Sequence, residues 1–261
     1  MKRLTDHGFW DQSWWKHSRP SRLWLYRDFD FETVRLIREA GVTTGARVLE
    51  VGAGGSRVLP YLARKFGYEV YGADFSLAGC RLLRANLVLQ RQQGGVVCED
   101  LFQSSLRPQV FDLVYSSGLV EHFDDLRAVA AAHLRLVRPG GRLVVIVPNL
   151  QGVQGSVMRR LAPPLFASHR IFGPRDLEAC LLALGLEGLR SGYLGSFLIH
   201  VERGDQWTTV RRWSPFLQRV IPLSVRIING VISFAFRLSP LRPHSRSFSH
   251  AFFAMGRKPQ G

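Results

Sequence analysis

The chain has few cysteines: three among 261 residues, and no two of them are separated by only two residues. A structural zinc site or a disulfide framework needs cysteines in closely spaced pairs, so both are excluded. Isolated thiols in apolar stretches predict free, buried cysteines in a reducing compartment, and no metal site is expected. The three are Cys80, Cys98 and Cys180.

Neither a signal peptide nor an uninterrupted apolar run is expected. The sequence begins M-K-R-L-T-D-H-G-F-W, with charges where a signal peptide has its apolar segment. The most apolar stretch, residues 216 to 240, is interrupted by Arg219, Pro222, Arg226 and Arg237, whereas a membrane span needs about 20 predominantly apolar residues. A cytoplasmic protein without a transmembrane segment is therefore predicted.

Lysine is scarce throughout, and acidic residues are absent from residues 206 to 261. Only four of the 35 basic residues are lysines, and the formal net charge is +15. This excess of arginine favours anionic partners, namely nucleic acid, an acidic lipid surface or an acidic substrate, without choosing among them. The apolar fraction of 46% excludes an unfolded chain.

From residue 31 onward, helical patterns alternate with short apolar runs. This alternation predicts an α/β fold with a doubly wound, mostly parallel sheet that is covered on both faces. Ligands of such sheets bind beyond the carboxyl ends of the strands, where the strand order reverses. The predicted strands cover residues 47–51, 69–74, 95–100, 110–116, 142–147, 186–201 and 249–256. The predicted helices cover residues 31–40, 58–65, 76–93 and 124–137, with Ser76 as an N-cap.

The first predicted strand is followed by a glycine-rich turn, and the stretch that contains both reads V48-L-E-V-G-A-G-G-S-R57. Its glycines let a ligand approach the backbone, and the helix that follows offers free N–H donors. A pyrophosphate-binding G-x-G-x-x-G turn does not match, because Arg57 stands in the third glycine position and Glu50 would repel the pyrophosphate. Glu50 instead favours a ligand with a positively charged amino group.

The segment Glu50-Val51-Gly52-Ala53-Gly54-Gly55-Ser56 resembles the first motif, acid-x-G-x-G-x-G, of the class I S-adenosylmethionine-dependent methyltransferases, with Ser56 in place of the last glycine. Four further segments resemble the family's later motifs in the same order, and the resemblance is close over residues 40 to 150. It implies a sheet of seven strands, with S-adenosylmethionine as cofactor and S-adenosylhomocysteine as product. The four segments are Asp74, Glu99-Asp100-Leu101, residues 111–118 and residues 136–143.

The resemblance also implies which residues bind the cofactor. In the family, the glycine turn holds the amino-acid end of the cofactor. An acid in the position of Asp74 binds the ribose hydroxyls, and one in the position of Asp100 accepts from the adenine amino group. The cofactor-binding residues implied are Glu50, Gly52, Ala53, Gly54, Asp74, Phe75, Asp100, Leu101 and Ser117.

The pair Glu121-His122 follows the fourth strand and resembles the subgroup that methylates small molecules, including quinone precursors. Two roles stay open for His122: a base that deprotonates a hydroxyl acceptor, since its ordinary pKa is near neutrality, or a group that only shapes the pocket. Glu121 is expected to orient a neighbouring group. Methyl transfer to oxygen or nitrogen of a small hydrophobic or acidic metabolite is predicted. The candidate acceptor-binding residues are Trp10, Trp14, His169 and Tyr193, with core packing as the alternative.

Other functions are also open. Methylation of base amino groups needs an Asn/Asp/Ser-Pro-Pro-aromatic turn after strand four, where this chain reads S-S-G-L. Nucleic acid is therefore not an expected partner, although RNA ribose stays open. A protein that binds S-adenosylmethionine or a nucleotide without catalysis, as a scaffold or membrane-associated partner, is the alternative from another class.

The two ends of the chain differ from its middle. We predict an aromatic-rich helical cap in residues 1–40, a cofactor-binding core in 41–202, a basic amphipathic helical insertion in 203–248, and a last strand with its tail in 249–261. In the insertion, Arg219, Arg226, Ser233 and Arg237 share one helical stripe, and Pro222 predicts a break into two pieces. Such a helix binds an anionic membrane surface peripherally, or it packs on the core as a lid or a homodimer helix.

Overall fold

A computed structural model describes residues 2–16, 19–25, 28–201, 207–238 and 244–260. Seven strands form one sheet in the order β3-β2-β1-β4-β5-β7-β6. Strand β7 runs antiparallel to both of its neighbours, and the other described strand pairs are parallel. The strands are β1 (Arg47–Val51), β2 (Glu69–Asp74), β3 (Gly95–Cys98), β4 (Phe111–Ser117), β5 (Val137–Pro148), β6 (Glu187–Phe197) and β7 (Ser249–Arg257).

Helices cover both faces of the sheet, as its buried apolar strands require. One core cluster joins the sheet to α5 and α8, and a second joins it to α2, α3 and α4. The prediction of a doubly wound, mostly parallel sheet of seven strands is confirmed. The helices are α1 (His7–Lys16), α2 (Asp28–Glu39), α3 (Val58–Phe66), α4 (Leu77–Leu89), α5 (Leu126–Leu136), α6 (Val153–Leu161), α7 (Pro163–Ala167), α8 (Pro174–Ala183) and α9 (Pro215–Leu238).

The predicted capping of α4 is confirmed, since the Ser76 hydroxyl accepts a hydrogen bond from the Gly79 N–H at 3.1 Å. The strand predicted at 95–100 ends earlier, at Cys98, because Asp100 caps a 3-10 turn that begins at Leu101. The helix predicted to reach residue 137 ends at Leu136. Strand β5 begins directly after it and contains the Pro139-Gly140-Gly141 turn sequence.

Two expectations are wrong: that Pro222 breaks the helix of the insertion into two pieces, and that all three cysteines are buried. Helix α9 is one continuous element of 24 residues, with Pro222 inside it. Among the described residues, its segment Pro215–Phe236 is long and apolar enough, by length and composition, to cross a membrane. Cys98 is exposed, because it lies at the end of the edge strand β3, whereas Cys80 is buried.

The predicted division of the chain stays a prediction. Within the predicted cap, residues 7–16 and 28–39 form α1 and α2. Within the predicted insertion, residues 215–238 form α9. The boundary predicted between residues 202 and 203 lies outside the described residues, as do residues 239–243 of the insertion.

Candidate active site

The strand order reverses between β1 and β4, and a cavity of about 720 Å³ lies at that switch point. Its lining comes from the carboxyl ends of β1, β2 and β4 and from the N-terminal segment, as expected for a doubly wound sheet. Ten predicted site residues line the cavity, and five do not. Those that line it are Glu50, Gly52, Gly54, Asp74, Phe75, Leu101, Ser117, His122, Trp10 and Trp14. Those absent from the lining are Ala53, Asp100, Glu121, His169 and Tyr193.

The carboxylate of Glu50 is buried at the end of β1. Its Oε2 accepts hydrogen bonds from the Ser56 hydroxyl at 2.5 Å and from the Tyr115 hydroxyl at 2.6 Å. Burial raises the pKa of Glu50 to about 7, despite the two hydrogen bonds, which favour the charged form. A cationic ligand group beside Glu50 would favour the ionised carboxylate. The site is therefore suited to bind a positively charged ligand group. Ser56, which stands in place of the motif's last glycine, thus acts as a hydrogen-bond donor to Glu50.

The glycine turn after β1 brings the backbone close to the cavity. Gly52 has a φ of 73°, which favours glycine. A Cβ on Gly54 would lie 2.5 Å from Nε1 of Trp14, so any side chain at this position would displace the indole. The turn and α1 together form a narrow slot at one end of the cavity.

Asp74, at the end of β2, lies beside this turn. Its Oδ2 accepts from the Gly54 N–H at 2.7 Å, and its Oδ1 accepts from the Ser76 N–H at 2.8 Å. A carboxylate has about four lone-pair sites, so acceptor capacity remains for ligand hydroxyls. Burial raises the pKa of this carboxyl.

The end of β3 differs from the predicted arrangement. Asp100 forms an ion pair with Arg3, and its Oδ1 accepts from the Phe102 N–H at 2.9 Å. Glu99 lines the cavity in its place, with its carboxylate held by the hydroxyls of Ser104 and Ser105. A role for Asp100 in adenine binding stays a prediction, and it requires Arg3 to release the side chain.

The N-terminal segment closes one side of the cavity. The Leu4 N–H donates to the carbonyl of His122 at 2.9 Å, and Asp11 on α1 accepts from the Ser76 hydroxyl at 2.5 Å. The guanidinium of Arg3 lies 5.0 Å from the ring centre of Phe75. Sequence reasoning identified the aromatic residues of this segment but missed Arg3 and Asp11, because polar residues at a chain end carry no pattern of their own.

His122 follows β4 and packs against the indole of Trp10, with ring centres 5.1 Å apart. Its Nδ1 lies 2.9 Å from the carbonyl of Ser168. Because a carbonyl oxygen only accepts, Nδ1 carries the proton and Nε2 has a free lone pair. Burial, reinforced by neighbouring His169, lowers the pKa of His122 to about 3, so the imidazole is neutral at physiological pH.

Glu121 and His169 lie behind His122. One Glu121 carboxyl oxygen is 3.8 Å from Nε2 of His122, and the other is buried without a hydrogen-bond partner. Burial raises the pKa of Glu121 to about 8, so this carboxyl is largely protonated at neutral pH. The His169 ring centre is 4.5 Å from that of His122, and its Nδ1 lies 2.6 Å from the carbonyl of Leu165.

The same three side chains are the residues among those described that could hold a metal ion, since their ligand atoms lie within 4.8 Å of one another. Two imidazoles and a carboxylate are ligands that divalent transition metals accept. The expectation of no metal site considered cysteine pairs alone. Cysteine spacing gives no sign of this group. His169 is distant in sequence from Glu121 and His122, and the chain segment that contains α7 brings it beside them.

Tyr193 lies in β6 opposite Phe252 of β7 and packs against the core cluster of the α5–α8 face. The apolar lining of the cavity instead includes Trp10, Phe29, Leu119 and Phe123. Of these, only Trp10 was among the predicted acceptor-binding residues.

Comparisons with known proteins agree with this site. Residues 49–145 match a family model described as a methyltransferase domain. A ubiquinone biosynthesis O-methyltransferase of Klebsiella pneumoniae is 30% identical over 118 residues, which are 45% of this chain and 48% of that enzyme. The enzyme of the same name from Rhizobium etli is 29% identical over 188 residues, which are 64% of this chain and 71% of that enzyme. The chain thus spans about half the length of some of the curated relatives that it matches.

Among solved structures, Haemonchus contortus phosphoethanolamine N-methyltransferase 2 superposes with a TM-score of 0.59 at 15% identity, covering 88% of this chain and 53% of that one. That structure contains S-adenosylhomocysteine. At this identity the likeness shows the fold alone, but the matched domain includes the glycine turn, Asp74 and the end of β4. Residues 49–145 therefore form a methyltransferase domain of the class I S-adenosylmethionine-dependent type, and S-adenosylmethionine is the cofactor that such a domain implies.

Proposed function

We propose that this protein transfers the methyl group of S-adenosylmethionine to a hydroxyl oxygen of a small, hydrophobic ring compound such as a quinone precursor. The observation that carries the proposal is the position of His122, whose free Nε2 belongs to a ring that lines the same cavity as Glu50 and the glycine turn. The names of the relatives from Klebsiella and Rhizobium support an oxygen acceptor. The aromatic lining beside His122 favours an apolar ring.

The chemistry requires little covalent help from the protein. When bound, S-adenosylmethionine would supply a methyl group activated on positively charged sulfur, which would pass to the acceptor oxygen and leave neutral S-adenosylhomocysteine as the leaving group. Nε2 of His122 takes the hydroxyl proton, and the carboxyl of Glu121, one oxygen of which lies 3.8 Å from that nitrogen, orients the imidazole. Glu50 would fix the cofactor's amino group, so that donor and acceptor stay aligned within the cavity.

The proposal is tested with His122→Ala and His122→Gln in a radiolabelled methyl-transfer assay over phenolic, isoprenoid and amino-sugar compounds. We expect turnover to fall by about 10²- to 10⁴-fold, the contribution typical of a general base, while affinity for S-adenosylhomocysteine stays the same. His244→Ala is the matched control, since His244 is exposed. Full turnover in both His122 variants would exclude this histidine as the base.

Two further arms separate the alternatives. If Glu121, His122 and His169 hold a metal instead, EDTA abolishes the activity of the unmodified protein and a divalent ion restores it. If the protein binds S-adenosylhomocysteine but methylates no compound of the screen, the non-catalytic scaffold is favoured. Labelling of RNA alone would favour an RNA-directed enzyme.

A further inference from the structure

The outward face of α9 is apolar over its whole length. Ile227 is 60% exposed and Phe234 is 65% exposed, although buried positions are usual for such residues. A contiguous apolar stripe of this length marks an interaction surface. Its members, all exposed, are Phe216, Leu217, Val220, Leu223, Ile227, Ile228, Val231, Phe234 and Leu238.

The inward face of α9 carries the polar residues and fixes the helix in this orientation. The Asn229 amide donates to the carbonyl of Ile199 at 2.6 Å and accepts from the N–H of the same residue at 3.1 Å. Gln218 donates to the carbonyl of Trp213 at 2.9 Å, and Ser233 is buried. The usual pattern of a surface helix is thus reversed, with polar groups toward the protein and apolar groups away from it.

Positive charge borders the apolar stripe. Arg219 and Arg226 are both exposed and lie seven residues apart, on one flank of α9. Arg211 and Arg212, in the turn that precedes the helix, are also exposed. No acidic residue occurs in the sequence after residue 205, so α9 carries no carboxylate of its own beside Arg219 and Arg226.

We propose that α9 lies in the plane of an anionic lipid surface, with the apolar stripe among the acyl chains and the arginine flank at the lipid phosphates. An apolar face bordered by cations is the arrangement that binds such surfaces. The inference goes beyond the methyl-transfer proposal and does not depend on which acceptor the protein uses.

Two other occupants fit less well. A membrane-spanning orientation would place Arg219 and Arg226 in hydrocarbon and would break the hydrogen bonds that tie Asn229 to Ile199. A second copy of the chain, paired about a two-fold axis, would set arginine flanks of the same sign against each other, without acids from this region to compensate them.

The experiment is flotation of the full-length protein with vesicles of phosphatidylcholine alone and with vesicles that contain about a quarter phosphatidylglycerol. We expect binding to the phosphatidylglycerol vesicles only, weakened by added salt. Ile227→Ser/Phe234→Ser should abolish binding. Arg219→Gln/Arg226→Gln should weaken it by about 30-fold, which corresponds to about 1 kcal/mol for each arginine near the surface.

The control variants make the same kinds of substitution at exposed positions outside α9. Arg81→Gln/Arg84→Gln removes the same charge from exposed positions of α4, and Val88→Ser removes an apolar side chain that is 72% exposed. Both should bind like the unmodified protein. Equal, salt-independent binding to both kinds of vesicle would overturn the proposal. So would a dimer in light scattering that Ile227→Ser/Phe234→Ser converts to a monomer without any lipid binding.

Discussion

Glu50 combines a buried position with a pKa near neutrality, and this makes cofactor binding depend on pH. Burial raises its pKa to about 7 in the free protein, so its ionised fraction falls from about nine-tenths at pH 8 to about one-tenth at pH 6. The cofactor's ammonium group prefers the ionised form. We therefore predict that affinity for S-adenosylhomocysteine, measured by titration calorimetry, is about tenfold weaker at pH 6 than at pH 8.

Glu50→Gln provides the control for this prediction. The amide keeps the size of the side chain but cannot ionise, so its weaker binding should be nearly the same at both pH values. If the unmodified protein shows equal affinity at pH 6 and pH 8, Glu50 does not contact the cationic end of the cofactor.

At the residue scale, the sequence predicted the acids that follow apolar strands. Glu50 and Asp74 could be identified because a strand's carboxyl end fixes where the next side chain lies. The side chains that form hydrogen bonds around those acids could not be identified from the sequence. Tyr115 donates to Glu50 from the neighbouring strand, and Asp11 reaches Ser76 from α1. Both contacts depend on how elements distant in sequence pack together.

At the element scale, α1 is held against the cofactor cavity by the packing of Trp10 and Trp14 and by hydrogen bonds to Asp11, of which the one from the Ser76 hydroxyl is the shorter. Loss of such a bond costs about 1.5 to 3 kcal/mol. We predict that Asp11→Ala loosens α1 and accelerates dissociation of S-adenosylhomocysteine by about tenfold, measured by stopped-flow fluorescence of the tryptophans.

Gln12→Ala is the matched control, because Gln12 is the exposed neighbour of Asp11 on the same helix. It should leave the dissociation rate unchanged. An unchanged rate in Asp11→Ala would mean that α1 does not move when the cofactor leaves.

The bounds of most elements follow from hydrophobic runs and their caps, which are local signals. Helix α9 shows where such signals fail. Pro222 predicts a break, since proline lacks an N–H for the backbone ladder. The helix nevertheless continues through Pro222, and tertiary contacts such as the packing of Val225 offset the lost hydrogen bond. The outward direction of the apolar face was not predictable, because amphipathic spacing does not say which side meets the protein.

At the scale of the whole molecule, the cofactor cavity joins the sheet, α1 and the loop after β4, so a bound ligand should stabilise all of them together. At a concentration of 100 times its Kd, a ligand adds about 2.7 kcal/mol to the free energy of unfolding. For a chain of this length we predict that S-adenosylhomocysteine raises the Tm by about 5 to 10 °C in scanning calorimetry.

NADH is the comparison ligand, since its pyrophosphate would meet Glu50. It should leave the Tm unchanged at the same concentration. A shift with NADH and none with S-adenosylhomocysteine would contradict the assignment of the cavity.

The overall fold was predictable because seven strands of a doubly wound sheet each leave a local mark and the crossover rule limits their order. The closure of the cavity by residues 2–16 was expected only in outline. It depends on pairing between Leu4 and the loop at His122, which no local pattern indicates.

The strand order has a consequence for how the chain is made. Strand β7 lies between β5 and β6, and in the described residues β6 pairs with β7 alone. As synthesis proceeds, β6 therefore leaves the ribosome before its partner exists, and α9 follows with its apolar side uncovered. Closure of the sheet must wait for β7, so the nascent chain passes through a stage in which chaperones or a nearby bilayer can capture α9 first.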